Sequence, residues 1–343
     1  MKEKRTNDNP VLTEQNSRRK FLQHAALTIG GGALGLSAGQ AIAMNMGGYG
    51  GNITSSNPDY KSLDFHNNYW ARDAMARIQG DLEFGKQKFG WYKGTVRSVR
   101  PGHKNVPFIG FEGFSYARLV DNGDGTYKKL LREVGYYTDL ATGEVLDTFT
   151  NPFTNEKVKV VHIANDPFNY VIGPYYPKPP TYGKLNVKEV PDIPMYLPFQ
   201  DIGNGQLLLQ SGIDLFYPSA LQPDKWPRES PGKMNQVTEM FNYVLNKDDV
   251  ADKSKTALYF SGTWNRITPW LPWMLMDQAD GHCHYDCVMG CYADESALSP
   301  QVRAYAEKHH PTFFSAPDKW EEPSLSSLEH YALEQKPAPP KKG

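Results

Sequence analysis

The chain carries two hydrophobic periods, and the change between them falls near residue 89. Upstream the period is helical. Trp70, Ala74, Ile78 and Leu82 recur every four residues behind Asp64, a residue type that caps helices. The spacing predicts an amphipathic helix with His66 and Tyr69 near its start. Downstream the period is two. The stretches 91–99, 106–122, 126–137, 157–165, 205–217, 235–245, 256–270 and 283–292 are rich in Val, Ile, Tyr and Phe and read as strands. "NGDGT" at 122–126 is a hairpin signal, and 139–144 and 151–156 are further turns. A proline-studded stretch, 173–198, reads as a long loop or a strap over the fold. Ser299-Pro300 opens a short helix that Pro311 stops. Roughly eight to ten antiparallel strands with flanking helices predict a β-barrel, calycin-like in outline, with a two-sheet β-sandwich as the alternative.

The first 43 residues follow neither period. "SRRKFLQHAALTIGGGALGLSAGQAIAM" pairs Arg18 and Arg19 ahead of a weakly apolar, Gly-rich run and ends in the small-residue site Ala41-Ile42-Ala43. This is the pattern of a twin-arginine signal peptide cleaved after Ala43. The expected partner is the twin-arginine export machinery, and the expected location is the periplasm. Residues 44–62 then read as a flexible leader, 63–317 as a single β-barrel domain, and 318–343 as a disordered tail.

Charge narrows the partners. The net charge is −1, which leaves no electrostatic footprint for nucleic acid or an anionic membrane. After the signal no apolar run approaches the ~20 residues of a membrane helix. A small-molecule ligand is the partner that remains. All three cysteines lie in "HCHYDCVMGCY". On a strand, Cys283, Cys287 and Cys291 share one face while His282, His284 and Asp286 share the other. The reading is three thiols on a core face, with no metal site assigned. A metal protein using these histidines and cysteines is the third functional alternative.

The blocks "GFEGFSYARLV", "LREVGYYTDLATGEVLDTFTNPFTNEKVKVVHIANDP" and "WNRITPWLPWMLMDQADG" resemble the bacterial and fungal domain-of-unknown-function family 1838, over about residues 64–317. The resemblance implies no activity, cofactor or catalytic residue. "HCHYDC" looks peculiar to this chain beside the family's pattern.

Candidate chemistry therefore comes from the residues. His162 shares a strand face with Val158, Val160 and Ala164, which predicts an inward imidazole: a general base, a metal ligand or a satisfied core residue, followed by Asn165 and Asp166 at a barrel mouth. Arg132 shares a face with Leu130, Val134 and Tyr136. It is expected to point inward and to pair with Glu112 or an anionic ligand. Trp264, Arg266, Trp270 and Trp273 are expected to wall a pocket for a flat apolar ligand. The catalytic candidates are thus His162, Asp166, Arg132 and Glu112; the ligand-binding ones are Asn165, Trp264, Arg266, Trp270 and Trp273. There is no G-x-S-x-G, P-loop, H-E-x-x-H or C-x-x-C motif, so the cofactor stays unknown and several enzyme classes fall away. The expected function is action on a small hydrophobic or aromatic metabolite, with proton transfer as in an isomerase or lyase. A non-catalytic carrier is the alternative.

Overall fold

The computed structural model describes residues 60–176, 192–322 and 324–341. The signal, most of the leader and 177–191 of the proline-studded stretch lie outside them.

Helix α1 (Asn68–Gln79) begins three residues later than Asp64 suggested. Asn67 is the cap, its side-chain oxygen accepting from the N–H groups of Tyr69 and Trp70. His66 precedes the helix and stacks on Tyr196. Trp70, Ala74 and Ile78 are buried as the period requires. The far end of α1 is held by a buried lysine. Lys88 Nζ donates to the carbonyls of Arg77 (2.5 Å), Ile78 (2.8 Å) and Leu258 (2.6 Å). Two carbonyls of the helix C-terminus and one of the segment before β11 replace the water that the ammonium loses on burial.

The protein is mainly β and antiparallel. In chain order the strands are β1 (Gln87–Val99), β2 (Val106–Asp121), β3 (Tyr127–Thr138), β4 (Thr148–Thr150), β5 (Lys157–Lys159), β6 (Ile163–Asn165), β7 (Tyr170–Ile172), β8 (Gln200–Gly203), β9 (Gln206–Pro218), β10 (Met234–Asn246), β11 (Phe260–Thr268) and β12 (His282–Tyr292). Ten of them form one sheet in the order β6-β3-β2-β1-β12-β11-β10-β9-β8, with β7 also on β3; β4 and β5 form a separate pair. The main ladder is open among the described residues, with β6 and β7 at one end and β8 at the other. The sheet nevertheless bends far enough that Asn165 of β6 lines one recess with Leu215 of β9 and Val237 of β10.

The run 157–165 is not one strand. After β5 pairs with β4, Val160 N–H donates to the Asp147 carbonyl, and the chain then changes partner to β3. His162 lies in this crossing, outside both strands. Within β6 the buried side chain is Asn165, opposite Glu133, rather than the His162-phase residue Ala164.

The two halves of the sheet differ in how they are covered. On β9 and β10 one face is buried (Leu207, Leu209, Ile213; Val237, Phe241, Tyr243) and the alternate positions are more exposed. On β1–β3 both faces are covered. The inner face joins the main core, where Gly113 and Gly135 lie opposite each other and leave room for the Tyr92 ring, whose hydroxyl donates to the Val134 carbonyl (2.9 Å). The outer face makes a second core of Phe89, Phe114, Val134 and Tyr136 beneath Val302, Ala306 and Phe313. The latter belong to a helix at Pro300–His309 and the 3₁₀ turn Pro311–Phe314 after it. A five-residue helix, α2, follows β10 (Lys247–Ala251), so the Pro300–His309 helix is α3.

Residues 318–343, expected as a disordered tail, hold a further helix. α4 (Ser327–Glu334) starts with a reciprocal capping box between Ser326 and Glu329 and buries Tyr331. Among the described residues no helix is long and apolar enough to cross a membrane.

Candidate functional site

A recess opens where the bent sheet, the loop after β11 and α4 meet. Tyr137 of β3, Asn165 of β6, Arg266 of β11 and Tyr285 of β12 form its sheet side, Trp270 and Trp273 its loop side, and His330 of α4 part of its cover. The tight interior is about 70 Å³, within about 740 Å³ of empty space that includes the solvent at its mouth. Such a site suits a single ring better than a fused polycycle. A smaller recess of about 20 Å³ adjoins it and shares Asn165 and Arg266, with Glu239 on its wall.

Five of the expected residues border this space: His162, Asn165, Arg266, Trp270 and Trp273. Trp264 lies in the core rather than in the lining, packed on Tyr285, with its Nε1–H donating to Glu239 Oε2 (3.1 Å). The other three candidates are elsewhere. Arg132 is on the outer face of β3. It pairs with Asp166 (2.8 Å) and donates to the Ser315 carbonyl (3.1 Å). Glu112, on the outer face of β2, pairs with Lys93 (3.0 Å) and accepts from Ser299 N–H at the start of α3 (2.7 Å). The expected Arg132–Glu112 pair is therefore overturned. The face shared with Leu130, Val134 and Tyr136 is apolar because α3 covers it, and it faces away from the recess.

His162 borders the recess with its proton placement set by the fold. Its Nδ1 accepts from Tyr137 N–H (3.2 Å), which leaves the ring proton on Nε2. Burial, followed by the charges of His310 and His309 and against the pull of Asp147, lowers its pKa to about 4. At neutral pH the ring is uncharged and presents a donor.

Five polar atoms of the residues lining the recess share one property. Arg266 Nε, Trp273 Nε1, Asn235 Oδ1, His162 Nε2 and His330 Nε2 are all buried without a hydrogen-bond partner in the protein. Arg266 Nε has Glu239 Oε1 at 3.6 Å, an ion pair too long for a hydrogen bond. Trp273 Nε1 has the Tyr137 hydroxyl, and the His162 ring the Leu146 carbonyl, for a polar neighbour, without a well-aligned bond. Each such group costs about 1–3 kcal/mol if left unmet. Their gathering on one aromatic-walled recess makes it the strongest candidate site in the fold.

Sequence reasoning missed Glu133 and Glu239. Both are buried on the inner face, in phase with Leu131 and Tyr137 and with Val237 and Phe241 respectively. A carboxylate on an otherwise apolar strand face was the signal. Burial, then Glu239, raises Glu133 to about 8 against the pull of Lys129 and Arg266. Burial also raises Glu239, although Arg266 and the Trp264 N–H oppose it.

The cysteines behave as their phase required: all three are buried and free, and Cys283, Cys287 and Cys291 face the core while His284 and Asp286 engage Asn265 and Arg97 on the other side. Among the described residues no three His, Cys, Asp or Glu side chains converge as a metal-binding group. The described ends of the proline-studded stretch pack at the α1 side, where Asn68 Nδ2 donates to the Pro174 carbonyl (3.1 Å), and do not line the recess.

The family model described as "Protein of unknown function (DUF1838)" matches residues 85–334. The chain belongs to this family. The matched region begins just before β1 and ends with α4, so it contains every lining residue of the recess. No curated protein matches the chain.

Proposed function

We propose that this protein binds a small aromatic or hydrophobic molecule in the recess beneath α4. In this reading the sheet wraps round its ligand as a calycin-like barrel does, and the site serves an exported protein delivered by the twin-arginine route. The observation that carries it is the gathering of unpartnered buried groups, Arg266, Trp273, Asn235, His162 and His330, on one recess walled by Trp270, Tyr137 and Tyr285. Donors predominate, so the ligand carries hydrogen-bond acceptors.

Binding is better supported than the His162-centred proton-transfer chemistry expected from the sequence. His162 Nδ1 is engaged by a backbone N–H, and Asp166 is engaged by Arg132 on the outer face. Any proton transfer falls to Glu239, which borders the adjoining recess.

The test is native mass spectrometry of the mature protein isolated from its own host, joined to tryptophan fluorescence titrations with single-ring aromatics. A retained small molecule, and quenching lost in Trp273→Phe, are the expected results. Quenching unaltered by Trp273→Phe and by Arg266→Met would remove the recess as the site. For export, Arg18→Lys with Arg19→Lys should hold the precursor in the cytoplasm, and unimpaired secretion of that variant would refute the route.

A further inference from the structure

Two carboxyl groups stand behind Arg266. Glu239 lies directly opposite it in the β10–β11 register, with Oε1 3.6 Å from Arg266 Nε and Oε2 accepting from Trp264 Nε1 (3.1 Å). Glu133 is on β3, beside Asn165 of the recess wall, and its Oε2 has no hydrogen-bond partner. Both are nearly sealed, at 1% and 4% exposure. Among other titratable groups, His162, His330 and Glu334 line the recess that Arg266 borders, and Tyr92 lies near Glu133. Lys129, on the strand of Glu133, donates to Gln79 Oε1 (2.6 Å) and Tyr170 OH (3.1 Å). Tyr217, Tyr137 and Tyr285 surround Arg266. One guanidinium therefore faces Glu239, acts on Glu133 through its charge and also borders the recess.

We propose that the ligand of the recess is a single-ring carboxylate held by Arg266, and that it binds together with one proton taken up by Glu239. The proposal rests on the ligand-site reading above and adds the ligand's charge and its coupling to pH. A guanidinium in an aromatic-walled site matches a carboxylate in charge and in planar geometry. The incoming anion meets an arginine whose charge Glu239 already offsets. Two carboxylates around one cation, with a third carboxyl group behind, repel strongly in a low-dielectric interior. Protonation of one of them relieves the repulsion. Glu133, raised to about 8, already carries its proton at neutral pH. Glu239 stands 3.6 Å from Arg266 Nε, nearest the incoming anion; Arg266 and the Trp264 N–H favour its carboxylate while burial favours the acid, so it is the group placed to accept the proton. The proton comes from solvent, and Glu239 passes from carboxylate to carboxylic acid with no other bond changed.

The experiment is isothermal titration calorimetry of the mature protein with benzoate, phenylacetate and 4-hydroxybenzoate and with the corresponding amides. It is run at pH 7 in two buffers of different ionisation enthalpy. The carboxylates should bind at least tenfold more tightly than the amides. The buffer dependence should report uptake of close to one proton, and affinity should weaken as pH rises above 7, by up to tenfold per unit, the limit for one linked proton. Glu239→Gln should bind the carboxylates without proton uptake, whereas Glu133→Gln should keep the uptake. Amides that bind as well as the acids, carboxylate binding without uptake in the wild type, or uptake that persists in Glu239→Gln would each overturn the proposal and leave the aromatic recess standing. If neither series binds or alters the tryptophan fluorescence, the recess reading falls and the proposal falls with it. Should Glu239→Gln not fold, the wild-type proton count and Glu133→Gln still decide.

Discussion

Tyr331→Ala tests whether α4 is a separable cover of the recess. The helix has eight residues, too few to persist alone in water. Its most buried anchor is Tyr331, 9% exposed and packed on Trp226 with ring centroids 5.7 Å apart, beside Leu328 and Ala332 on the same core. Flanking bonds help: Asn169 N–H donates to Ser324 Oγ (2.7 Å), and Ala338 N–H donates to Glu229 Oε1 (2.6 Å). Truncating a buried aromatic side chain costs about 3–5 kcal/mol in a core, and the lower figure suits this peripheral site. At about 1.4 kcal/mol per factor of ten, the undocked population of α4 should rise by roughly a hundredfold. Hydrogen exchange with mass spectrometry reads this directly. Peptides covering 326–335 should exchange about a hundredfold faster in the variant, while β10, β11 and β12 keep their protection. Ser326→Ala, which removes the capping box, should produce the same pattern at about 1 kcal/mol, or roughly fivefold. Equal acceleration in α4 and in β10–β12 would show that the helix unfolds only with the whole molecule, and the reasoning would fail.

Three further outcomes follow from other parts of the fold. His162 has a folded pKa of about 4 against an ordinary 6.5, so the unfolded chain binds the extra proton in that window. Stability should therefore be full above about pH 6.5 and decline as pH falls towards 4, by up to about 3 kcal/mol from this residue, and His162→Gln should flatten that part of a denaturation-versus-pH curve; an unchanged slope would refute the assignment. Asp166→Asn breaks a partly exposed pair on the outer face, so urea unfolding should show a loss of about 1 kcal/mol with ligand affinity unchanged, and a large loss of affinity would return Asp166 to the site. Burial pushes the Cys283 thiol up to about 12 and raises Cys287 and Cys291 as well, so a disulfide-exchange reagent at pH 8 should label none of the three in the native protein and all three after denaturation.

What the sequence disclosed, and what it hid, depended on how many faces of a strand are covered. On β9, β10 and β12 one face stays open, so all three stretches were readable as strands, and on β12 alternation placed the three cysteines on the buried face. On β3 both faces are buried, the inner by the main core and the outer by α3. Alternation then separates Arg132 from Glu133 without telling which of them points inward. The apolar company of Arg132 suggested the wrong one. The partner change between β5 and β6 was equally hidden, because a strand that switches neighbours keeps its β-rich composition through the switch. That switch inverted the phase at 162–165 and put Asn165, not the His162 face, inside. Glu239 was readable, since "VTEMF" sets a carboxylate in phase with Val237 and Phe241 on an apolar face. Such a residue demands a buried partner, and Arg266 lies opposite it one strand away. Glu239 thus pointed to Arg266, which borders both recesses, whereas His162 borders the larger recess with its Nδ1 already engaged by the Tyr137 N–H.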